Sequence, residues 1–237
     1  MKQFSLIAGA LLVCGSLIAA EADAKADVKA AAKKLGANYS WTSTPKMDGG
    51  PGGGNFRPGP TEGQAADGFV YLKSTFGDRT IQSLIKGDKA ATETQDGWQN
   101  VDELEGNRAG MARRLKTLKA PALEAADLAD KAKSLKADGD ALSGDLTEDA
   151  VKDLLSFGGR RPNADAAAAR PAPKDAKGSV KFWIKDGALS KYEYNVQGKI
   201  TGRDDQEFTI NRTTTIEIKD VGKTKLSAPE EAKKKIS

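Results

Sequence analysis

The side chains that enzymes use most often are almost absent from this chain. Its 237 residues include no histidine, and the single cysteine, Cys14, lies in an apolar N-terminal run. Nucleophilic catalysis would therefore need a Ser-Lys, threonine or carboxylate arrangement, and no nucleophile elbow or Ser-x-x-Lys motif stands in a strand–turn–helix context. We predict no catalytic residue and no enzyme activity. Paired carboxylates of the glycosidase type stay open as an alternative, because any two of the many acidic residues could converge.

A run of carboxylates that begins at Asp138 and Asp140 has the composition of a calcium site. Counted from Asp138, however, the loop position that requires glycine holds Ser143, and the fifth position holds Leu142. Acidic residues also collect in turns and at helix N-termini, where they favour the helix dipole. The sequence therefore predicts neither a metal ion nor a cofactor.

The tryptophans and tyrosines form the remaining informative set. Large aromatic residues on strands most often fill a core, and the same residues also line ligand sites. We interpret them as packing residues, with ligand contact as the alternative. The set comprises Tyr39, Trp41, Tyr71, Trp98, Trp183, Tyr192 and Tyr194.

The N-terminus has the organisation of an export signal. A short basic start precedes an apolar run over residues 4–20, and two small-x-small patterns follow it, Ala20-Glu21-Ala22 and Ala22-Asp23-Ala24. We predict a signal peptide over residues 1–24, a mature chain that begins at Asp23 or Lys25, and a periplasmic or extracellular location. Lipidation at Cys14 is disfavoured because Val13 precedes it where a small residue is needed. The apolar run is also too short for a membrane span, so no transmembrane segment is expected.

Composition then bounds the mature chain. The formal net charge of the full chain is +4, and the charges are interspersed, which disfavours a nucleic-acid partner. Residues 25–237 are long enough for a single domain with a real core. Two segments rich in Gly, Pro, Ala and charge, residues 48–63 and 158–177, are predicted to be flexible because they cannot bury enough apolar surface.

Hydrophobic periodicity places helices before and between two sets of strands. A helical stripe opens the mature chain with Val28, Ala31, Ala32 and Leu35, and residues 38–43 form a first strand. Period-two alternation from Phe69 to Trp98, broken by Gly-Asp and Asp-Gly pairs, predicts an antiparallel meander. Two helices follow, the second beginning at Pro121. Residues 138–146 form a short strand, Thr147 caps a helix, and three long strands complete the chain.

The C-terminal pattern resembles a known group of envelope proteins. The residues that carry the resemblance are Val180-Lys181-Phe182-Trp183-Ile184-Lys185-Asp186-Gly187, then Leu189-Ser190-Lys191-Tyr192, then residues 213–222 and Ala228-Pro229. They look like the end of the half-barrel lipoprotein-carrier superfamily, which includes LolA, LolB and LppX/LprG-like proteins. The resemblance covers nearly all of the mature chain except the two flexible segments.

The resemblance implies a fold and a function. The expected fold is α+β, a curved, incompletely closed antiparallel sheet packed on two or three helices. The expected protein is a monomer that binds a lipid or lipoprotein in the hollow, without catalysis. The alternative is an interaction module with a filled core that binds an anionic envelope polymer or a protein partner. The expected ligand-lining residues are Leu72, Phe76, Leu115, Leu118, Leu128, Leu135, Trp183 and Tyr192.

Overall fold

A computed structural model of the protein describes residues 14–49, 58–105, 115–156, 171–202 and 206–236. These residues form an α+β fold with one open antiparallel sheet of eleven strands and a few helices. The strands are β1 (Tyr39–Gly49), β2 (Pro58–Ala66), β3 (Phe69–Phe76), β4 (Arg79–Lys86), β5 (Lys89–Thr94), β6 (Gly97–Asn100), β7 (Lys136–Asp138), β8 (Ala141–Asp145), β9 (Lys174–Lys185), β10 (Ala188–Thr201) and β11 (Glu207–Lys219).

Two meanders meet in the middle of this sheet. The strand order is β6-β5-β4-β3-β2-β1-β11-β10-β9-β8-β7, so the first and last strands of the chain are central neighbours. The β1–β11 pairing runs from Ser40 opposite Lys219 to Gly49 opposite Ile210. The strands at the two ends of the order, β6 and β7, leave the sheet unclosed. The hairpins turn at residues with positive φ, such as Gly77 and the pair Asp186-Gly187.

Four helices have both ends within the described residues. Three lie on one face of the sheet, where the first also packs against the second, and the fourth lies on the opposite face. They are α1 (Cys14–Lys33), α2 (Pro121–Lys131), α3 (Glu148–Leu155) and α4 (Glu230–Lys234). Helix α1 contacts α2 and strands β9 and β10; α3 contacts β9 and β10; α4 contacts β4, β5 and β6. A 3₁₀ turn, Val101–Glu103, follows β6.

Helix α3 packs against two glycines of the sheet, Gly178 and Gly198, whose lack of a side chain lets the helix approach closely. A Cβ added to Gly178 would lie 2.8 Å from Val151, and one added to Gly198 would lie 2.6 Å from Leu155. Val151 and Leu155 are one helical turn apart, so both project from the same side of α3. The predicted cap is present, because the Thr147 hydroxyl accepts from the Ala150 N–H at 3.4 Å.

Most elements confirm the sequence interpretation, and the differences have clear causes. The stripe Val28, Ala31, Ala32 and Leu35 is buried, but helix α1 begins at Cys14, upstream of the predicted start. Residues 138–146 were expected to be one strand and instead belong to a hairpin of β7 and β8, because Gly139 adopts a positive φ and turns the chain. The first of the two central helices lies mostly outside the described residues; its described end, Leu115 and Lys116, is helical.

The two segments predicted to be flexible are partly strand. Strand β1 extends to Gly49 and β2 begins at Pro58, so only residues 50–57 of the first segment lie outside the described part. Strand β9 begins at Lys174, inside the second segment, of which residues 158–170 lie outside it. These strand ends are held by backbone hydrogen bonds to their neighbours, which composition does not report.

Candidate functional site

The two faces of the sheet differ, and we call them inner and outer. The inner face carries Phe182, Tyr192 and Ile216, which stand opposite one another across β9, β10 and β11. Alternation along each strand places every second residue on this face. The buried residues that pack together there with helices α1, α2 and α3 form the inner cluster, which also includes Val28, Leu128, Leu146 and Leu155.

Five of the eight predicted ligand-lining residues belong to the inner cluster. They are Leu72, Leu115, Leu128, Leu135 and Tyr192. Phe76, at the end of β3, is 36% exposed, and Leu118, beyond the helical residues 115–116, is 40% exposed. The structure therefore brings the two sheet halves and α2 together at one interior, while Phe76 and Leu118 stay at the surface.

Trp183 lies on the outer face. It neighbours Phe182 in the strand, so its side chain points the opposite way. The Trp183 indole N–H donates to Asp140 Oδ1 at 3.1 Å, and the Lys191 ammonium stands 4.3 Å from the ring centroid. Trp183 does not share an interior with Tyr192.

A polar cluster interrupts the apolar inner face beneath helix α2. Glu124, in the first turn of α2, accepts hydrogen bonds from the hydroxyls of Tyr192 at 2.5 Å and Tyr194 at 3.5 Å. The Tyr39 hydroxyl, on β1, accepts from the Ala122 N–H at 3.3 Å. Three strand tyrosines thus meet the first turn of one helix, and two of them share its carboxylate.

Burial and hydrogen bonding act in opposite directions on this carboxylate. Loss of solvent raises the pKa of Glu124 above its usual value, and hydrogen bonds from Tyr192 and Tyr194, together with the positive charge of Arg212, offset part of that rise. Burial and the nearby Glu124 raise the pKa of Tyr192 and of Tyr194. Both phenols therefore keep their protons at neutral pH and act as donors.

Arg212 links this cluster to helix α3. It stands on β11 opposite Val196 and Met47, so it belongs to the inner face. Its Nη2 donates to the carbonyl oxygen of Leu154 at 2.8 Å, near the end of α3. A cation at a helix C-terminus interacts favourably with the unpaired carbonyls there. Polar contacts thus connect α2 to the sheet through Glu124 and the Ala122 N–H, and connect α3 to it through Arg212.

Trp41 packs over Gly63, which falls in the first segment predicted to be flexible. It is buried on β1 and stands opposite Gly63 on β2. A Cβ on Gly63 would lie 2.1 Å from the Trp41 ring. The indole therefore lies directly over the Gly63 backbone, and a glycine at this position is needed for the aromatic residue to pack.

The two best-formed pockets with described linings are shallow and lie on the outer face. One, of about 180 Å³, is lined by side chains that include Ser40, Thr42 and Lys219. The other, of about 30 Å³, adjoins it at Glu62 and Gln64. Ligand sites for drug-sized molecules usually have about 300 Å³ or more. The larger pocket also borders Trp41, a member of the inner cluster, at Gly63.

Comparison with known proteins gave no match. No protein-family model matches it, and no curated protein matches it significantly. Within the described ranges, no helix is long and apolar enough to cross a membrane. Across those same residues, no three His, Cys, Asp or Glu side chains are grouped so that they could hold a metal ion.

Sequence reasoning missed Glu124 and Arg212. A glutamate in a first helical turn looks like a surface residue placed for the dipole, so nothing local distinguished Glu124. Arg212 had a readable signal. The stripe Ile210, Thr214 and Ile216 on β11 has period two, and position 212 belongs to that stripe, which places an arginine on the buried face.

Proposed function

We propose that the protein is an exported, non-enzymatic envelope protein that binds an amphipathic ligand, a lipid or lipoprotein, in the hollow of a half-barrel. In this proposal the open sheet curves around helices α1, α2 and α3, and the ligand occupies space between α2 and the inner face. The resemblance of the C-terminal strands to the lipoprotein-carrier superfamily supports it.

The observation that carries the proposal is the polar cluster in an otherwise apolar interior. Ligand sites are mostly apolar surfaces with a few convergent polar groups that orient the ligand. Glu124, Tyr192 and Tyr194 are such groups, and apolar residues such as Leu128 and Phe182 surround them. A core built only for stability gains little from a buried carboxylate, because its desolvation must be offset by hydrogen bonds.

A second function is favoured by the tight packing of the same interior. Phe182, Tyr192 and Ile210 are fully buried, and the outer-face pockets are small. A carrier with this interior must separate α2 from the sheet before it accepts a ligand. A protein with a permanently filled core would instead act through its surface, on an anionic envelope polymer or a protein partner.

Ligand binding separates the two functions. We expect native mass spectrometry of protein purified from an envelope extract to show a co-purifying lipid, and a fluorescent fatty acid to bind at micromolar concentration. Leu128→Trp adds bulk between α2 and the inner face, and we expect it to weaken probe binding at least tenfold.

Leu84→Trp is the matched control. Leu84 is as deeply buried as Leu128 but packs on the outer face with Tyr71 and Ile236. Both substitutions overpack a core and destabilise by about 1–3 kcal/mol, so a general loss of stability affects both variants equally. We expect Leu84→Trp to bind the probe like the parent protein. Absence of a co-purifying lipid together with absence of probe binding would reject the carrier in favour of the interaction module.

A further inference from the structure

We propose that signal peptidase produces a mature chain that begins at Asp23, and that it cuts before the domain folds. This inference rests on the export that the proposed function includes. Two cleavage patterns are present, one ending at Ala22 and one ending at Ala24, and the sequence alone does not choose between them. The packing of helix α1 distinguishes them.

The backbone of Val28 is buried and needs its hydrogen-bond acceptor. An α-helix leaves its first four N–H groups without intrahelical acceptors. If the chain began at Lys25, those four residues would end with Val28, which is 0% exposed. Its N–H normally pairs with the carbonyl of Ala24 within α1. Cutting after Ala24 would remove that acceptor and leave a buried donor unpaired, which is costly.

Asp23 and Ala24, which a cut after Ala24 would remove, also contribute to the packed helix. Ala24 is 7% exposed and packs in the inner cluster with Val28 and Ala31. Asp23 would supply a carboxylate to the first turn of the mature helix, where negative charge is favourable. Either start places an α-ammonium and Lys25 at the positive end of the helix, but a start at Lys25 lacks the carboxylate of Asp23 that offsets them.

Lys25 makes a contact that also depends on the residues before it. Its ammonium donates to the carbonyl oxygen of Ala132 at 2.5 Å and so connects α1 to the end of α2. Terminal residues of a helix fray, so this contact needs helical residues before Lys25. Beginning at Asp23 keeps two of them.

The order of events follows from the helix. Residues 14–33 are continuous α-helix, and both cleavage sites lie inside it. The i to i−4 hydrogen bonds of a helix occupy the backbone groups that an extended substrate chain would present to a protease. Processing therefore precedes formation of α1, and a refolded precursor resists cleavage.

N-terminal sequencing of protein isolated from the envelope tests the cut directly. We expect Asp23 as the first residue. A chain that begins at Lys25 would overturn this inference and leave export intact, whereas an intact Met1 would overturn export itself. Incubating purified signal peptidase with the precursor, either refolded or held unfolded in mild urea, tests the order. We expect cleavage of the unfolded precursor alone, and equal cleavage of both would overturn the order.

Stepwise truncation tests the physical reason. Chains that begin at residues 23, 24 and 25 are released from a tag that leaves no extra residue, and their melting midpoints are compared. The chain from Ala24 is the control, because it is shorter yet keeps the carbonyl that Val28 needs. We expect the first two to melt close together and the third to melt about 4–8 °C lower. Three equal midpoints would contradict the argument.

Discussion

The protein has two separate apolar clusters on opposite faces of one sheet, and the tyrosine hydroxyls in the two clusters have different hydrogen-bond partners. The outer cluster consists of Tyr71, Leu84, Ala91, Trp98, Ala228, Ala232 and Ile236, held under helix α4. The Tyr71 hydroxyl donates to Gln82, and the Gln82 amide in turn donates to the exposed Glu93 at 2.6 Å. In the inner cluster the hydroxyl of Tyr192 instead donates to Glu124, whose carboxyl pKa is raised by burial.

The two clusters differ in what their buried polar groups cost the fold. The outer cluster directs its polar chain towards solvent, where charge is solvated at no cost. The inner cluster retains a carboxylate among apolar side chains, where it needs two phenols and the nearby Arg212 to offset desolvation. In the proposed function this carboxylate is one of the polar groups that orient the ligand.

The C-terminal segment, residues 220–236, completes the outer cluster. After β11 the chain crosses the outer face towards β2. Thr224 and Asn38 exchange two hydrogen bonds, of 2.7 and 2.9 Å, and Ser227 donates to Gln64. Helix α4 then covers β4, β5 and β6. The outer cluster is thus a local addition, whereas the inner cluster joins both meanders and three helices.

The largest expected effect is on the inner cluster. Phe182 is fully buried between β8 and β10, and its ring stacks with Tyr192 at 6.3 Å between centroids. We expect Phe182→Ala to lower the free energy of unfolding by about 3–5 kcal/mol in urea denaturation. Phe76→Ala, the surface control, should cost less than about 1 kcal/mol. Similar losses in both variants would mean that Phe76 also packs in a core.

The docking of α3 is the next test. A methyl group on Gly178 would lie 2.6 Å from the Asn195 carbonyl oxygen and 2.8 Å from Val151. We expect Gly178→Ala to destabilise by up to about 3 kcal/mol, because the rigid backbone atom cannot give way. Ser179→Ala, one residue along on the exposed outer side, should change the urea midpoint little. A neutral Gly178→Ala would show that α3 shifts without cost.

A matched pair of tyrosine variants compares the two clusters directly. Tyr192→Phe removes a donor from buried Glu124, and we expect a loss of about 1–2 kcal/mol in thermal or urea unfolding. Tyr71→Phe removes a donor from Gln82, which water can reach, so we expect a smaller loss. Equal losses would show that the hydrogen bond to buried Glu124 contributes no more to stability than the hydrogen bond to Gln82.

The smallest effect is a pH dependence that belongs to Glu124. Folding raises the pKa of this carboxyl. At pH values between the unfolded and the folded pKa, the folded protein therefore holds a proton that the unfolded chain releases. The stability that this proton contributes is complete below the ordinary glutamate pKa of 4.5 and is lost as the pH rises through the folded value. We therefore expect the parent protein to lose stability relative to Glu124→Gln across that window.

Tyr192→Phe sharpens the pH test. The Tyr192 hydrogen bond lowers the pKa of Glu124, so removing it should move the loss of stability to higher pH. Urea denaturation at a series of pH values measures both shifts. Parallel pH profiles for the parent protein and Glu124→Gln would show that Glu124 does not titrate differently in the folded state.

Much of the fold could be predicted because strands and helices leave local signatures. The alternation Val180, Phe182 and Ile184, the turn at Asp186-Gly187, and Thr147 as a cap all appear in the structure as expected. Each depends on a few neighbouring residues and on backbone preferences that hold in any context. The face of Trp183 followed from the same alternation, yet its aromatic character led us to place it in the interior.

By itself, the sequence determined the element types, the turns and the apolar stripes, because periodicity and backbone conformation act over a few residues. Only the tertiary structure decided that β1 lies beside β11, that Gly63 receives the ring of Trp41, and that Glu124 meets Tyr192 across 68 positions of chain. These contacts depend on how separate elements pack. The local sequence does not show whether a glutamate in the first turn of a helix will face water or a sheet, because that position is favourable for a carboxylate in both cases.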